Sequence, residues 1–252
     1  MAIITLRAWY VPEYEPLRSL MNRPHDLRLA KNSLLKSALR ADFLDEMSVV
    51  QSSVWFQNYL AGQTVEFYIE GSGSYTIANL DIISHEIYFI KQESYSQLEP
   101  VVLFSYQNQL SNTSHAIYEA LQEAISQINR TSRIALSLER VHRAANQPVK
   151  LKGQGMISLK RSLLFVADVS PITHLGDQPL FSPEVCIELG YALQVKRSDQ
   201  ILLVQIASKA NSGFPFALPF QQCLAAEDGT GLSQQLTSAL SQALQRFNLL
   251  PN

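Results

Sequence analysis

SLLFVADVS (Ser162–Ser170) and, about a dozen residues on, SPEVCIELGYAL (Ser182–Leu193) decide the fold. The first segment is an almost unbroken apolar run of strand length, the pattern of a strand buried on both faces of a sheet. The second opens with Ser182, a good N-cap, and Pro183, whose fixed φ suits the first helical position, so a helix starts there. Val185, Leu189 and Leu193 repeat every four residues and face a core. Glu184, Glu188 and Tyr191 follow at spacings of four and three, on or near one helix face. A carboxylate one turn inside such a helix suits a nucleophile or acid–base group. It equally suits a solvated helix residue, and these residues alone leave both readings open.

Outward from this stretch, the chain beyond residue 100 alternates strand and helix, the rhythm of a parallel sheet covered on both faces. VVLFSY (Val101–Tyr106) is a first short strand, Asn112–Ile128 an amphipathic helix and RIALSL (Arg133–Leu138) a second strand. Gly155–Arg161 is a short helix, Ser162–Val169 the third strand, Pro183–Val195 the next helix and Gln200–Ala207 the fourth strand. A short fifth strand falls within Pro215–Ala225, before a closing helix at Leu232–Phe247. The series predicts an α/β fold, a flavodoxin-like doubly wound parallel five-stranded sheet. In such sheets ligands bind beyond the carboxyl ends of the strands, where the winding reverses. That rule picks out Ser105 and Tyr106, then Asp168 to Ser170, then the start of the Ser182 helix. The intervening PITHLGDQPLF (Pro171–Phe181) is long and is expected to form a flap.

The chain changes character near QESYSQLEP (Gln92–Pro100), which divides a small α+β N-terminal domain, 1–97, from the α/β domain, 98–252. Leucines and alanines at helical spacings predict helix over Leu27–Met47, in one piece or two, and Val54–Leu60 reads as another short helix. Thr64–Ile69, Tyr75–Leu80 and Glu86–Lys91 alternate apolar and polar residues. They read as antiparallel strands with one solvated face, and Gly71 and Gly73 mark a hairpin turn. The aromatic residues of this half, Trp9 and Trp55 among them, mark a core or a domain interface.

With 252 residues, 46% hydrophobic and 17% charged, and a net charge of −2, the chain is an ordinary folded protein and no general polyanion binder. Charge is nonetheless uneven: Arg130–Arg161 holds eight Lys or Arg and one acid, Glu139. A solvated loop and a phosphate-contacting segment both fit that run. Nucleic acid is not an expected partner, because no aromatics interleave with these cations. GQG (Gly153–Gly155) lacks a Walker lysine and a preceding strand, so it reads as a turn, with Lys160 and Arg161 able to approach a phosphate. Two cysteines, Cys186 and Cys223, are too few for a disulfide framework and fit a reducing cytosol. Cys186 reads as a buried small hydrophobe or a thiol beside Glu188. The five histidines lack ligand spacing, and no metal site is assigned. The N-terminus lacks the features of a secretory signal, and no apolar run is long enough to span a bilayer, so the expectation is a soluble cytoplasmic protein with no membrane partner.

VADVS (Val166–Ser170), then Val185-x-x-Glu188-Leu189-Gly190-Tyr191-Ala192, an apolar strand and FPF (Phe214–Phe216) resemble a motif series. The series is that of the nucleoside 2-deoxyribosyltransferase-like and TIR-like nucleotide-binding superfamily, and the resemblance covers residues 100–250 only. Glu184 stands where the pattern has asparagine, and the Cys-x-x-Glu spacing of TIR domains is absent. The resemblance implies a small-molecule nucleotide or nucleoside as partner, with NAD or a nucleoside as substrate and no required cofactor. It implies cleavage of an N-glycosidic bond, with Glu188 attacking or stabilising the anomeric carbon, since an oxocarbenium-like centre needs a carboxylate beside it. By the same resemblance Asp168 binds base or ribose, and Ser105 and Tyr106 line the sugar pocket. Ser182, Glu184 and Tyr191 are further substrate-side candidates, although the Tyr191 ring equally suits simple packing. The alternative is a non-catalytic TIR-like signalling module that binds a nucleotide or a protein partner and acts by assembly as a homo-oligomer. Under it the N-terminal domain recognises a partner or trigger.

Overall fold

The computed structural model describes residues 5–34, 38–92, 97–143, 153–176, 178–206, 222–226 and 231–250. The chain divides into two compact units, Met1–Leu98 and Glu99–Asn252.

In the first unit, strands β1 (Thr5–Tyr10), β2 (Leu27–Leu34), β3 (Ala38–Phe43), β4 (Glu66–Ile69), β5 (Gly73–Asp81) and β6 (Glu86–Gln92) form a closed barrel. Its order is β1-β2-β3-β6-β5-β4, all neighbours antiparallel, sealed by β4 against β1. Helices α1 (Leu17–Asn22), α2 (Met47–Ser52) and α3 (Val54–Leu60) complete it. The helix expected over Leu27–Met47 is therefore a pair of strands. Leu27 and Leu29, then Leu39, Ala41 and Phe43, are buried, while Arg28 and Arg40 between them are exposed. That is a period of two. Leu and Ala favour helix only weakly, and closing a barrel that leaves no free sheet edge outweighs the preference. Register shifts between Lys31 and Ser33 and between Ile77 and Asn79 bend the strands round the barrel. One sheet face thus becomes the barrel interior. Trp55 and Phe56 of α3 join Phe67, Tyr75 and Phe89 in that core, the Trp55 ring edge-on to Phe67 at 5.3 Å.

The second unit is mixed α/β around a five-stranded parallel sheet. Its strands are β7 (Glu99–Ser105), β8 (Ser137–Arg140), β9 (Ser162–Asp168), β12 (Ile201–Ile206) and β13 (Gln222–Ala226), in the order β13-β12-β9-β7-β8. The helices are α4 (Ser111–Ile128), α5 (Gln154–Arg161), α6 (Pro183–Val195) and α7 (Leu232–Gln245). The segment expected to form a flap carries a two-stranded antiparallel hairpin, β10 (Thr173–Leu175) with β11 (Gln178–Leu180). The second strand starts later than Arg133. The Asn129 side chain takes both the N–H and the C=O of Leu136, and the Arg133 N–H goes to the Leu249 carbonyl. Residues 133–136 thus spend backbone groups that a ladder would need. Phe214–Phe216 and the first part of Pro215–Ala225 lie outside the described residues, as do Lys150, Lys152 and Asp177.

Strand parity sorts the sheet's side chains. Leu103, Phe165, Ala167 and Leu203 cluster with Leu159 of α5 and Val185, Leu189 and Ala192 of α6. The opposite face carries Phe104, whose ring meets Tyr118 of α4 at 6.1 Å, and α7 packs against α4. All seven residues of β9 are buried, as a strand covered on both faces requires.

Candidate site at the carboxyl edge of the sheet

The buried stripe of α6 runs Val185, Glu188, Leu189, Ala192, the i, i+3, i+4, i+7 spacing of a core-facing helix side. One member of that apolar stripe is a carboxylate with 0% exposure, so Glu188 is no solvated helix residue. A charge so placed is tolerable only with partners. Ser105 shares the parity of Leu103 and so points from the end of β7 towards α6. Its hydroxyl donates to Glu188 Oε2 at 2.6 Å. Arg143 supplies a fork, Nε donating to Oε1 at 2.8 Å and Nη2 to Oε2 at 2.7 Å. Arg143 Nη1 also donates to the Tyr106 carbonyl at 2.5 Å, and the guanidinium lies over the Tyr106 ring at 4.4 Å. The Val141 N–H donates to the Phe104 carbonyl, prolonging the β8–β7 pairing and carrying Arg143 to the edge where β7 ends.

Asp168 ends the neighbouring strand with the other parity. It turns to the α4 face, where it accepts from the Ser114 hydroxyl and, at 3.0 Å, from the Ser170 N–H. The Ser114 hydroxyl in turn accepts from the Gln107 N–H at 3.0 Å, and Gln107 Nε2 donates to the Ser170 carbonyl at 3.1 Å. Asp168 thus braces the turns after β7 and β9. Glu188 and Asp168, both expected in one ligand site, lie on opposite faces of the sheet. Gln107 Oε1 is buried and has no hydrogen-bond partner among the described residues, a spare acceptor in this network.

Ser182 occupies the N-cap position of α6, but its hydroxyl does not cap. It donates to Glu184 Oε2 at 2.7 Å. Donation from Ser182, from its own N–H and from Gln109 holds the Glu184 carboxyl below the usual carboxylate range. An anionic first-turn residue also complements the helix dipole. Tyr191 packs, half-buried, against the core on the α6 face, and no hydrogen bond among the described residues joins it to Glu188. Burial pushes the Cys186 thiol up, away from the thiolate a nucleophile needs.

Arg143, with Ser114 and Gln107, was not singled out by sequence reasoning. The only signal for Arg143 was its place in the basic run of 130–161. Gly155 has its own explanation: a Cβ there would lie 2.7 Å from the His142 carbonyl oxygen. The glycine lets α5 approach the segment that carries Arg143. Lys160 and Arg161 end α5 at the start of β9, and Arg161 faces Glu99, the first residue of β7, at 3.8 Å. These cations therefore stand at the amino edge of the sheet and cannot meet a phosphate at Ser105 or Asp168. A cleft lined by Leu164, Gln200, Leu240 and Ala243 also lies at that edge.

Among the described residues no group of three or more His, Cys, Asp or Glu is placed to hold a metal ion. No described helix is long and apolar enough to cross a membrane. No protein-family model, curated protein or solved structure matches the chain.

Proposed function

We propose that residues 99–252 bind a nucleoside-containing small molecule at the carboxyl edge of the sheet and cleave its N-glycosidic bond with Glu188. The observation that carries this reading is the fully buried Glu188 carboxylate, forked by Arg143 beside Ser105 where β7, β8 and α6 meet. Numbered within the unit, the strand order is 2-1-3-4-5, which supports a doubly wound, flavodoxin-like sheet whose winding reverses between β7 and β9. Ligands of such sheets bind at that crevice. The resemblance of VADVS and VCIELGYA points to the ligand class.

In the proposed reaction the C1′–N bond breaks and its electron pair leaves with the base. The Glu188 carboxylate stabilises the oxocarbenium-like centre, and water or a second base then adds to C1′, its displaced proton passing to the departed base or to solvent. Arg143 is a positioning residue that sets the carboxylate plane through two parallel bonds. Ser105 and Tyr106 flank the sugar, and Ser182 and Glu184 lie at the helix start. Asp168 contributes by holding the turns. NAD and nucleosides are the substrates to try, and no cofactor is required by this chemistry.

The test is incubation of the full chain with NAD and with deoxynucleosides, following nicotinamide or free base by chromatography. Release that disappears in Glu188→Gln is expected; release unchanged in that variant overturns the role of Glu188.

A second reading rests on the saturation of Glu188 by three hydrogen bonds. A carboxylate so occupied suits a non-catalytic module that binds a nucleotide or protein partner and acts by assembly, with the barrel as its recognition element. Ligand binding without turnover, accompanied by a ligand-dependent rise in molar mass by light scattering, favours it.

A further inference from the structure

Arg140, the last residue of β8, stands at the same carboxyl edge as Arg143. Its guanidinium lies over the Tyr118 ring at 3.9 Å and beside the Tyr106 ring at 5.7 Å. Two guanidiniums therefore lie over the Tyr106 ring, Arg143 at 4.4 Å being the other. The two cations differ in what they hold. Arg143 is spent on Glu188, Ser105 and the Tyr106 carbonyl. Arg140 is exposed, and among the described residues its side chain makes no hydrogen bond or ion pair. A guanidinium stacked on aromatic faces keeps its N–H donors in plane and pointing outward, already oriented for bidentate contact with an oxyanion. Stacking also removes much of the rotamer freedom that a free arginine would lose on binding.

We infer that Arg140 receives a phosphate of the ligand, so that the site takes a phosphorylated nucleoside in preference to a bare one. This rests on the nucleoside reading above. Arg143 is paired with Glu188, Asp168 is held by Ser114 and the Ser170 N–H, and the anionic Glu184 is bonded to Ser182, whereas the Arg140 guanidinium has no polar partner among the described residues. A phosphate on the ribose lies one sugar ring from the glycosidic carbon. That matches a division of labour in which Arg140 holds the phosphate and the Arg143–Glu188 pair meets the anomeric centre.

The experiment is calorimetric titration of wild type, Arg140→Gln and Arg140→Lys with the common ribonucleosides, their 5′-monophosphates, NAD and inorganic phosphate. Wild type should bind one monophosphate at least tenfold more tightly than its parent nucleoside. Arg140→Gln should bring the monophosphate to the nucleoside's level and leave nucleoside binding unchanged. Arg140→Lys should recover part of the gap, because a point charge cannot make the fork. Since Arg140 is exposed, the circular dichroism of both variants should match wild type, and the unfolding midpoint should fall only slightly, by the lost contact with the Tyr118 ring. Equal binding of nucleoside and monophosphate, or a gap that survives Arg140→Gln, overturns the inference and leaves the nucleoside reading standing. Inorganic phosphate bound as tightly as the monophosphates, and lost in Arg140→Gln, keeps the phosphate receptor but overturns the nucleoside reading. No binding by any probe overturns both.

Discussion

Replacing Arg143 by methionine removes the fork and leaves Glu188 with the Ser105 hydroxyl alone. Glu188 has no exposure and the Arg143 side chain only 10%, so water cannot replace the lost partner. Orphaning a charge in this way costs about 3–5 kcal/mol, and loss of the stack on Tyr106 adds about 0.5–1 kcal/mol. The double variant Arg143→Met, Glu188→Met should be far milder, within about 2 kcal/mol of wild type, because methionine fits the apolar stripe of α6 and no charge is stranded. The two sites should therefore couple by about 3 kcal/mol. Urea unfolding can read this unit by unit. Both tryptophans, Trp9 and Trp55, belong to the barrel and report it by fluorescence. The long helices α4, α6 and α7, of 18, 13 and 14 residues, belong to the second unit and dominate ellipticity at 222 nm. With a slope of about 2 kcal/mol per molar, Arg143→Met should move the ellipticity midpoint down by about 2 M. The fluorescence midpoint should stay in place. A shift below about 0.5 M, or a double variant as unstable as Arg143→Met, would refute the buried pair as the element that holds this edge together.

Further outcomes follow from neighbouring features. Gly155→Ala should cost about 1–3 kcal/mol in the same ellipticity assay, since its Cβ would meet the His142 carbonyl at 2.7 Å. It should also weaken ligand binding, because His142 adjoins Arg143. Gly190 in α6 has open space where a Cβ would go, so Gly190→Ala should stabilise the unit by about 0.5–1 kcal/mol. Burial lowers the Lys196 ammonium from 10.5 to about 8, while its Nζ donates to the Ser162 carbonyl. A lysine lowered in the folded state is a penalty fully present below pH 8 and relieved as pH rises towards 10.5. The stability advantage of Lys196→Met over wild type should accordingly shrink by about 3 kcal/mol across that window. An advantage independent of pH would mean that the amine is solvated.

The two halves of the chain were not equally legible. Ser162–Asp168 is apolar at every position but its ends, and such a run has few homes other than a sheet covered on both faces. In the barrel, Leu27–Phe43 carries leucines that satisfy a helical spacing and a strand alternation at once. Pairing with β1 and β6 decides between them. At the site, the start of α6 was readable from Ser182 and Pro183. What Ser182 does was not, because the Glu184 carboxylate competes for its hydroxyl.

What the amino-acid sequence by itself determined is local: the apolar strands of the second unit, the helix after Pro183 and the carboxylate one turn within it. Periods of 2 and 3.6 are written along the chain and need no partner to be read. Only the tertiary structure decided that Leu27–Leu34 is a strand, that Asp168 faces α4, and that Glu188 is paired with Arg143, 45 residues earlier. Each of these is settled by which strand lies beside which and in what register. Parallel neighbours meet only after long crossovers, so no short window contains both members of such a pair.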